Sequence, residues 1–432
     1  MSSTAAATRS VRADVVLLGV EAGLVALAVA VGVLLNHWHV PLHAAAAPLY
    51  AAWLPHLGPG TPFAVALAAA VVWFGPGIAA RLPWRPLLPL TYLAALAWTL
   101  SLALVDGWSR GIATRLTPQA EYLHDIPKVT SVPAMLSGFT NGILDFTPAS
   151  WATHVAGHPP GAFLVFVVLD RLGLHGGVPA ALLCIVVGAS APVAVAAALR
   201  NLDAEAAARA ALPFLVLFPG AVWVGASADG FFTGVVAAGL ALLAAGRGWW
   251  TGLPGGILLG FALYLSYGLV LVAPLALAVL WLLPRNRTAT AAAAVTGVAA
   301  VVIAFTASGF WWLDGYRLVV RRYYQGWALG RPYGYWVWAD LAALVLCAGP
   351  AVAPALRRMR TALALLPAAA LFAIVAADLS GLSKAEVERI WLPYAIWLLV
   401  ATAWLPARHR RWWLAGQALT ALAVNHLLLT VW

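Results

Sequence analysis

Carboxylates placed where apolar runs end are the residues with most chemistry to offer. Asp106 stands in Val105-Asp106-Gly107-Trp108, and Glu121 and Asp125 follow it, four positions apart. On a helix that spacing points both acids the same way. A carboxylate at a wet mouth beside apolar surface has its charged form disfavoured, and it then suits the part of general base toward a hydroxyl. Asp106 reads equally well as the end of a helix that turns at Gly107.

A second constellation is His154-Val155-Ala156-Gly157-His158-Pro159-Pro160-Gly161, followed by the amphipathic stretch 162–174. Two prolines preset the backbone for a helix start, which leaves His158 near amide groups that favour anions. A phosphate fits such a place, and so does a plain turn with histidines bonded to loop carbonyls. A third constellation, Asp378 to Trp391, packs Lys384, Glu386, Glu388 and Arg389 directly ahead of an apolar run. The planar fork of Arg389 suits a lipid phosphate. A local pair between Glu386 and Arg389, with the arginine reaching toward water, accounts for the same residues. Between these lie Asp314-Gly315-Tyr316-Arg317 and Arg321-Arg322-Tyr323-Tyr324, with Trp311, Trp312 and Trp327 nearby. Arg322 and Tyr323 would meet a phosphate and a sugar face, or belong to an aromatic belt at a membrane boundary.

Metal chemistry is poorly supplied. His37, His39 and His43 cluster, but Pro41 interrupts any helix there and no cysteine or carboxylate stands beside them. Cys184 and Cys347 both lie inside apolar stretches and read as buried thiols. No cofactor is indicated; a divalent cation is compatible with the reading without being called for.

The elements that must position these groups are membrane helices. The chain has 432 residues, of which 63% are hydrophobic and 9% charged, and its mean hydropathy is +0.90. Soluble domains carry about 25% charged residues, so water could not solvate this surface. The net charge of +10 comes without a basic stripe or a reader motif, which argues against nucleic acid as a partner. Apolar runs fall near 15–35, 63–80, 86–105, 178–199, 210–226, 230–246, 253–267, 268–284, 289–309, 336–354, 361–379, 390–406 and 412–430. The fold class is therefore all-α: one polytopic transmembrane bundle over 1–432, with about thirteen spans. The boundary at Tyr267 and Gly268 is the least defined, since one long helix or a re-entrant hairpin would also fit.

Arg9 and Arg12 precede the first run, which is long for a secretion signal and reads as a retained helix. With the N-terminus in the cytoplasm, the short loops carrying Arg81 and Arg85, Arg200 and Arg209, Arg247, Arg285 and Arg287, Arg357 to Arg360, and Arg408 to Arg411 all lie inside. The long loops 106–177 and 310–335, and most of the acids, then face outward. The stretch 160–173 is too short to span and reads as an interfacial helix within the first long loop.

In layout the chain resembles the GT-C superfamily of membrane-embedded glycosyltransferases, which includes protein O-mannosyltransferases, aminoarabinose transferases of lipid A and actinobacterial arabinofuranosyl and mannosyl transferases. The likeness rests on His158-Pro159-Pro160 heading an interfacial helix, a span ending in Arg200, an inner loop, and a next span leading to the outer segment Pro219 to Asp229. Two further spans precede Asp106 here, where the family places its acidic loop after the first. The resemblance implies sugar transfer from a polyprenyl-phosphate donor to a hydroxyl of a glycan, lipid or protein on the extracytoplasmic face of the cell membrane. Asp106, Glu121 or Asp125 would take the acceptor proton. His158, Arg322, Tyr323, Glu386, Glu388 and Arg389 would hold the substrates. A transporter or flippase of a lipid-linked or small polar solute is the alternative, although the ionisable residues crowd the loops more than the spans.

Overall fold

The computed structural model describes residues 2–430, with side chains from residue 11 onward, so the Arg9 side chain lies outside the described residues. The chain is predominantly helical, as the composition demands. Among the described residues, six helices are long and apolar enough to cross a membrane: Val11–His37, Thr61–Arg81, Trp84–Asp106, Gly177–Asn201, Arg287–Ala307 and Ala362–Leu379. Five shorter apolar helices of 10–17 residues accompany them: Ala228–Ala244, Trp249–Leu265, Tyr267–Leu282, Tyr333–Ala348 and Leu392–Trp404.

Local chemistry sets several boundaries. Thr61–Arg81 opens with proline in its first turn and closes with Arg81 in its last. The stretch expected as one helix over 210–226 is broken instead. A helix ends at Val216, Pro219 cannot continue the ladder, and a four-residue helix Ala221–Val224 leads to Ala228–Ala244. Ser266 is extended at φ −152° and splits Trp249–Leu265 from Tyr267–Leu282, so the least defined boundary of the sequence is a real break. Tyr333–Ala348 stops short of 354, because Gly349 takes φ 88° and the Gln417 side chain fills the space that a Cβ at 349 would need.

Trp249–Leu265 packs against Arg287–Ala307 through glycine. A Cβ on Gly256 would sit 2.1 Å from the Ala294 carbonyl oxygen, and one on Gly297 would sit 2.5 Å from that of Leu253. Small residues on both faces let the backbones approach, as in lipid-embedded helix pairs. The all-helical expectation needs one correction. Residues 428–430, expected to end the last span, form a strand that pairs antiparallel with Ala51–Trp53, Ala51 opposite Thr430 and Trp53 opposite Leu428. The backbone there leaves the helix Arg410–Leu427 and finds its hydrogen-bond partners in the segment after the first helix.

Polar groups gather at two separate ends. At one, Arg209 donates to the carbonyls of Ala79 and Leu82, each at 2.8 Å, Asn286 donates to the Gly246 carbonyl, and Arg357 and Arg358 both pair with Asp14. At the other, the segment 106–177 folds as an ordered layer of short helices over buried Tyr122, Met135, Leu136, Phe139 and Ile143. Pro159 and Pro160 open the helix Pro160–Arg171 there, and its inner face buries Phe163, Phe166 and Val167. The amphipathic helix Trp312–Tyr323 joins this layer, with Gly315 against the Tyr267 hydroxyl.

Candidate functional site

The acid-rich end holds a buried network built from four distant parts of the chain. Its centre is Arg389, in the four-residue helix Val387–Ile390 that precedes Leu392–Leu398. Arg389 Nη1 donates to Asp229 Oδ2 at 2.6 Å, and Nη2 donates to Glu386 Oε2 at 2.7 Å. Asp229 lies in the first turn of Ala228–Ala244, where its amide donates to the Ser227 hydroxyl at 3.1 Å. A helix N-terminus favours that negative charge. Asp229 and Arg389 side chains are each 7% exposed, so their attraction is little screened.

The first long loop contributes the other side. The His154 amide donates to the Ala120 carbonyl at 2.9 Å, which sets Glu121 beside the helix Thr153–Gly157. The Glu121 carboxylate then meets His154 Nδ1 at 2.9 Å, while Nε2 of the same ring faces Arg389 Nη2 at 3.4 Å. An arginine can only donate, so that ring edge is an acceptor, and the proton on Nδ1 points at Glu121. Tyr122 packs below, its ring centre 4.9 Å from that of Phe166 and 5.8 Å from that of His158, with its hydroxyl buried and without a partner.

Arg331 closes the network. Its two terminal nitrogens both lie 3.2 Å from Glu386 Oε1, its Nε donates to the Leu42 carbonyl, and its Nη1 also donates to that of Lys384. Lys384 Nζ donates to the Ala328 and Arg331 carbonyls, and its amide donates to the Tyr323 hydroxyl at 2.9 Å. Ala385 and Glu386 both adopt left-handed backbone, at φ 68° and 67°. Two consecutive non-glycine residues in that region store strain that the surrounding contacts must hold.

Electrostatics follow from this packing. Burial pushes the Glu121 carboxyl up, but the His154 ring and the Arg389 guanidinium outweigh it and leave it below its ordinary value. Glu386 is likewise raised by burial and lowered further by Arg389 and Arg331, with a net fall. Burial opposes the charge on Arg389, and Asp229 and Glu386 more than restore it. Glu388 differs: fully buried, it is pushed up to about 7, although it accepts the Tyr50 amide at 2.9 Å. Its second oxygen has no partner. His158 is pushed down to about 4 by burial and donates from Nδ1 to the His154 carbonyl at 2.8 Å. Burial disfavours its charged form, and the bond ties the ring to the loop.

Of the residues singled out in the sequence, Glu386 and Arg389 meet directly, Glu121 joins them through the His154 ring, and Glu388 neighbours Arg389 in the chain. Asp106 stands apart, paired to His56 Nε2 at 2.7 Å. Arg115 feels both Asp106 and Glu121 and donates to Thr430, which joins this pair to the strand ribbon. Asp125 is fully buried, bound to Lys128 Nζ at 2.7 Å and accepting the Ala152 amide. Arg322 pairs with Asp145 at 2.9 Å and ties the two long loops together, while Tyr323 props the backbone at Lys384. His154, Asp229 and Arg331 carry the network without having stood out as site residues. The available signals were the four-residue interval from His154 to His158, the helix cap Ser227 ahead of Asp229, and a lone arginine between Gly330 and Pro332 in the acid-rich half of the loops. Among the described residues, no group of three or more histidine, cysteine or acidic side chains is placed to hold a metal ion.

Comparison of the chain with family models, with curated proteins and with solved structures finds no match.

Proposed function

We propose that this chain is a multi-pass glycosyltransferase of the cell membrane, built in the GT-C manner with about thirteen crossings and its N-terminus in the cytoplasm. It moves a sugar from a polyprenyl-phosphate donor to a hydroxyl of a glycan, lipid or protein on the extracytoplasmic face. The single observation that carries this reading is the convergence of Glu121, His154 and Arg389, 235 positions separating the last two. An acid–imidazole pair beside a guanidinium is what a displacement at a sugar phosphate needs.

In the proposed step the acceptor oxygen attacks the anomeric carbon as the bond from that carbon to the phosphate oxygen breaks. The bonding electrons leave with the phosphate, where Arg389 offsets the growing charge. The acceptor proton passes to Nε2 of His154, and Glu121 holds the ring in the required tautomer and balances the imidazolium. One displacement inverts the anomeric centre. Protein reconstituted in liposomes with a panel of polyprenyl-phosphoryl sugars should transfer label to acceptor, and Glu121→Gln and His154→Gln should each lower the rate at least about 100-fold. Asp106→Asn should stay within a few-fold of the parent. Full activity in Glu121→Gln would remove the proposed centre.

A second reading, transport of a lipid-linked or small polar solute, draws on Asp340. It is 1% exposed in the apolar helix Tyr333–Ala348, with Oδ1 unpartnered, and ionisable groups at such places often line a pathway. Solute uptake or lipid scrambling by the same liposomes, without transfer, would favour it.

A further inference from the structure

The Glu386 carboxylate bridges two guanidinium groups, with Oε1 on Arg331 and Oε2 on Arg389. Two oxygens of one phosphate would satisfy the same pair of forks. We infer that Glu386 is a resident stand-in for a phosphate monoanion, and that the phosphate of a lipid-linked ligand takes this seat by displacing it. This inference rests on the reading of Arg389 as the phosphate-binding group.

Three further observations support the exchange. Glu386 is the most exposed ionised member of the network at 20%, against 7% for Asp229 and Arg389 and 5% for Arg331, so it is the member that water and a ligand reach first. Its backbone and that of Ala385 are both left-handed. The loop therefore has a less strained conformation available once the carboxylate lets go. Finally, the charges balance. Glu386 contributes one negative charge between the two arginines. A sugar–phosphate–prenyl diester carries one negative charge as well, so the swap leaves the net charge of the buried cluster unchanged and avoids the cost of an unpaired ion. The arrangement would exclude uncharged lipids, for which Glu386 has no reason to move.

The test is binding of farnesyl phosphate at about pH 5, where this monoester carries close to one negative charge, to the full chain in detergent, read by intrinsic tryptophan fluorescence, with inorganic phosphate as a second probe. Glu386→Gln should bind farnesyl phosphate about 10-fold or more tightly than the parent, and Arg331→Gln about 10-fold more weakly. If the glutamine variant does not fold, Glu386→Asp, too short to span both arginines, should show the same direction by a few-fold. Equal or weaker binding in a folded Glu386 variant overturns the inference. Tighter binding of farnesyl phosphate than of inorganic phosphate assigns the seat to a lipid phosphate, and equal binding assigns it to free phosphate. Because no transfer is measured, a parent that lacks transferase activity yet shows the Glu386 effect would sink the proposed function and leave the seat standing.

Discussion

Arg389 Nη1 lies 2.6 Å from Asp229 Oδ2, although 160 positions separate the two residues. The contact ties the start of Ala228–Ala244 to the segment ahead of Leu392–Trp404, and Glu386 shares the same guanidinium. Removing the arginine would leave two carboxylates facing each other in a place that water scarcely reaches.

Arg389→Gln is expected to lower stability by about 3–5 kcal/mol, the range for breaking a buried pair, as well as to abolish transfer. Arg389→Lys should recover part of the stability and little of the transfer, since an ammonium cannot serve Asp229 and Glu386 in one plane. Thermal unfolding in detergent, run beside the transfer assay, checks both.

Asp125 and Glu121 belong to one short stretch and should behave oppositely. Asp125→Asn weakens the buried bonds to the Ala152 amide and Lys128, at an expected cost of about 1–3 kcal/mol, while the transfer rate per folded molecule changes little. Measuring rate against the folded fraction separates the two effects. A rate loss in Asp125→Asn as large as that in Glu121→Gln would contradict this division of roles.

The pH dependence of stability should carry two signs. Glu121 and Glu386 have folded-state values below the ordinary 4.5. The stability they contribute is complete above about 4.5 and drains away as the pH falls through their lowered values. Glu388, pushed up to about 7 from 4.5, acts the other way: the folded protein holds its proton longer than the unfolded chain, so stability falls as the pH rises between those values. Glu388→Gln should therefore gain on the parent by up to about 3 kcal/mol on going from pH 5 to pH 8. Melting temperatures of parent and variant across that interval provide the check, and parallel curves would refute it.

The orientation proposed here can be tested with single cysteines, because both native thiols are buried, Cys184 at 0% and Cys347 at 1%, and such thiols react slowly. In intact cells, a membrane-impermeant maleimide should label Phe146→Cys and spare Arg247→Cys until the membrane is opened. The reverse pattern would place the Glu121 and Arg389 network in the cytoplasm.

How far these features could be read from the residues differs from place to place. The helix at Pro160 was legible because proline chemistry is local, and the crowding of acids into long loops and arginines into short ones needed only their order along the chain. The break after Val216 was legible in part, since Pro219 marks a stop without telling how the chain resumes. The pairing of acids was not legible. Asp106, Glu121 and Asp125 have similar surroundings in sequence, yet one meets His56, one His154 and one Lys128, and those choices follow from packing between remote segments. The strand at 428–430 was hidden for the same reason. Its apolar residues suit the end of a helix, and only Ala51–Trp53 supplies the neighbour that makes it a strand.

That ribbon also constrains any count of membrane crossings. On the proposed topology the ribbon lies outside the hydrocarbon, which puts both strands beyond the same leaflet. The chain from Trp53 to Leu428 would then traverse the bilayer an even number of times, whichever of the shorter helices cross. On the same topology the bond from Arg389 to Asp229 asks for the same parity on its own interval, and an experimental topology with an odd number for either would overturn that placement.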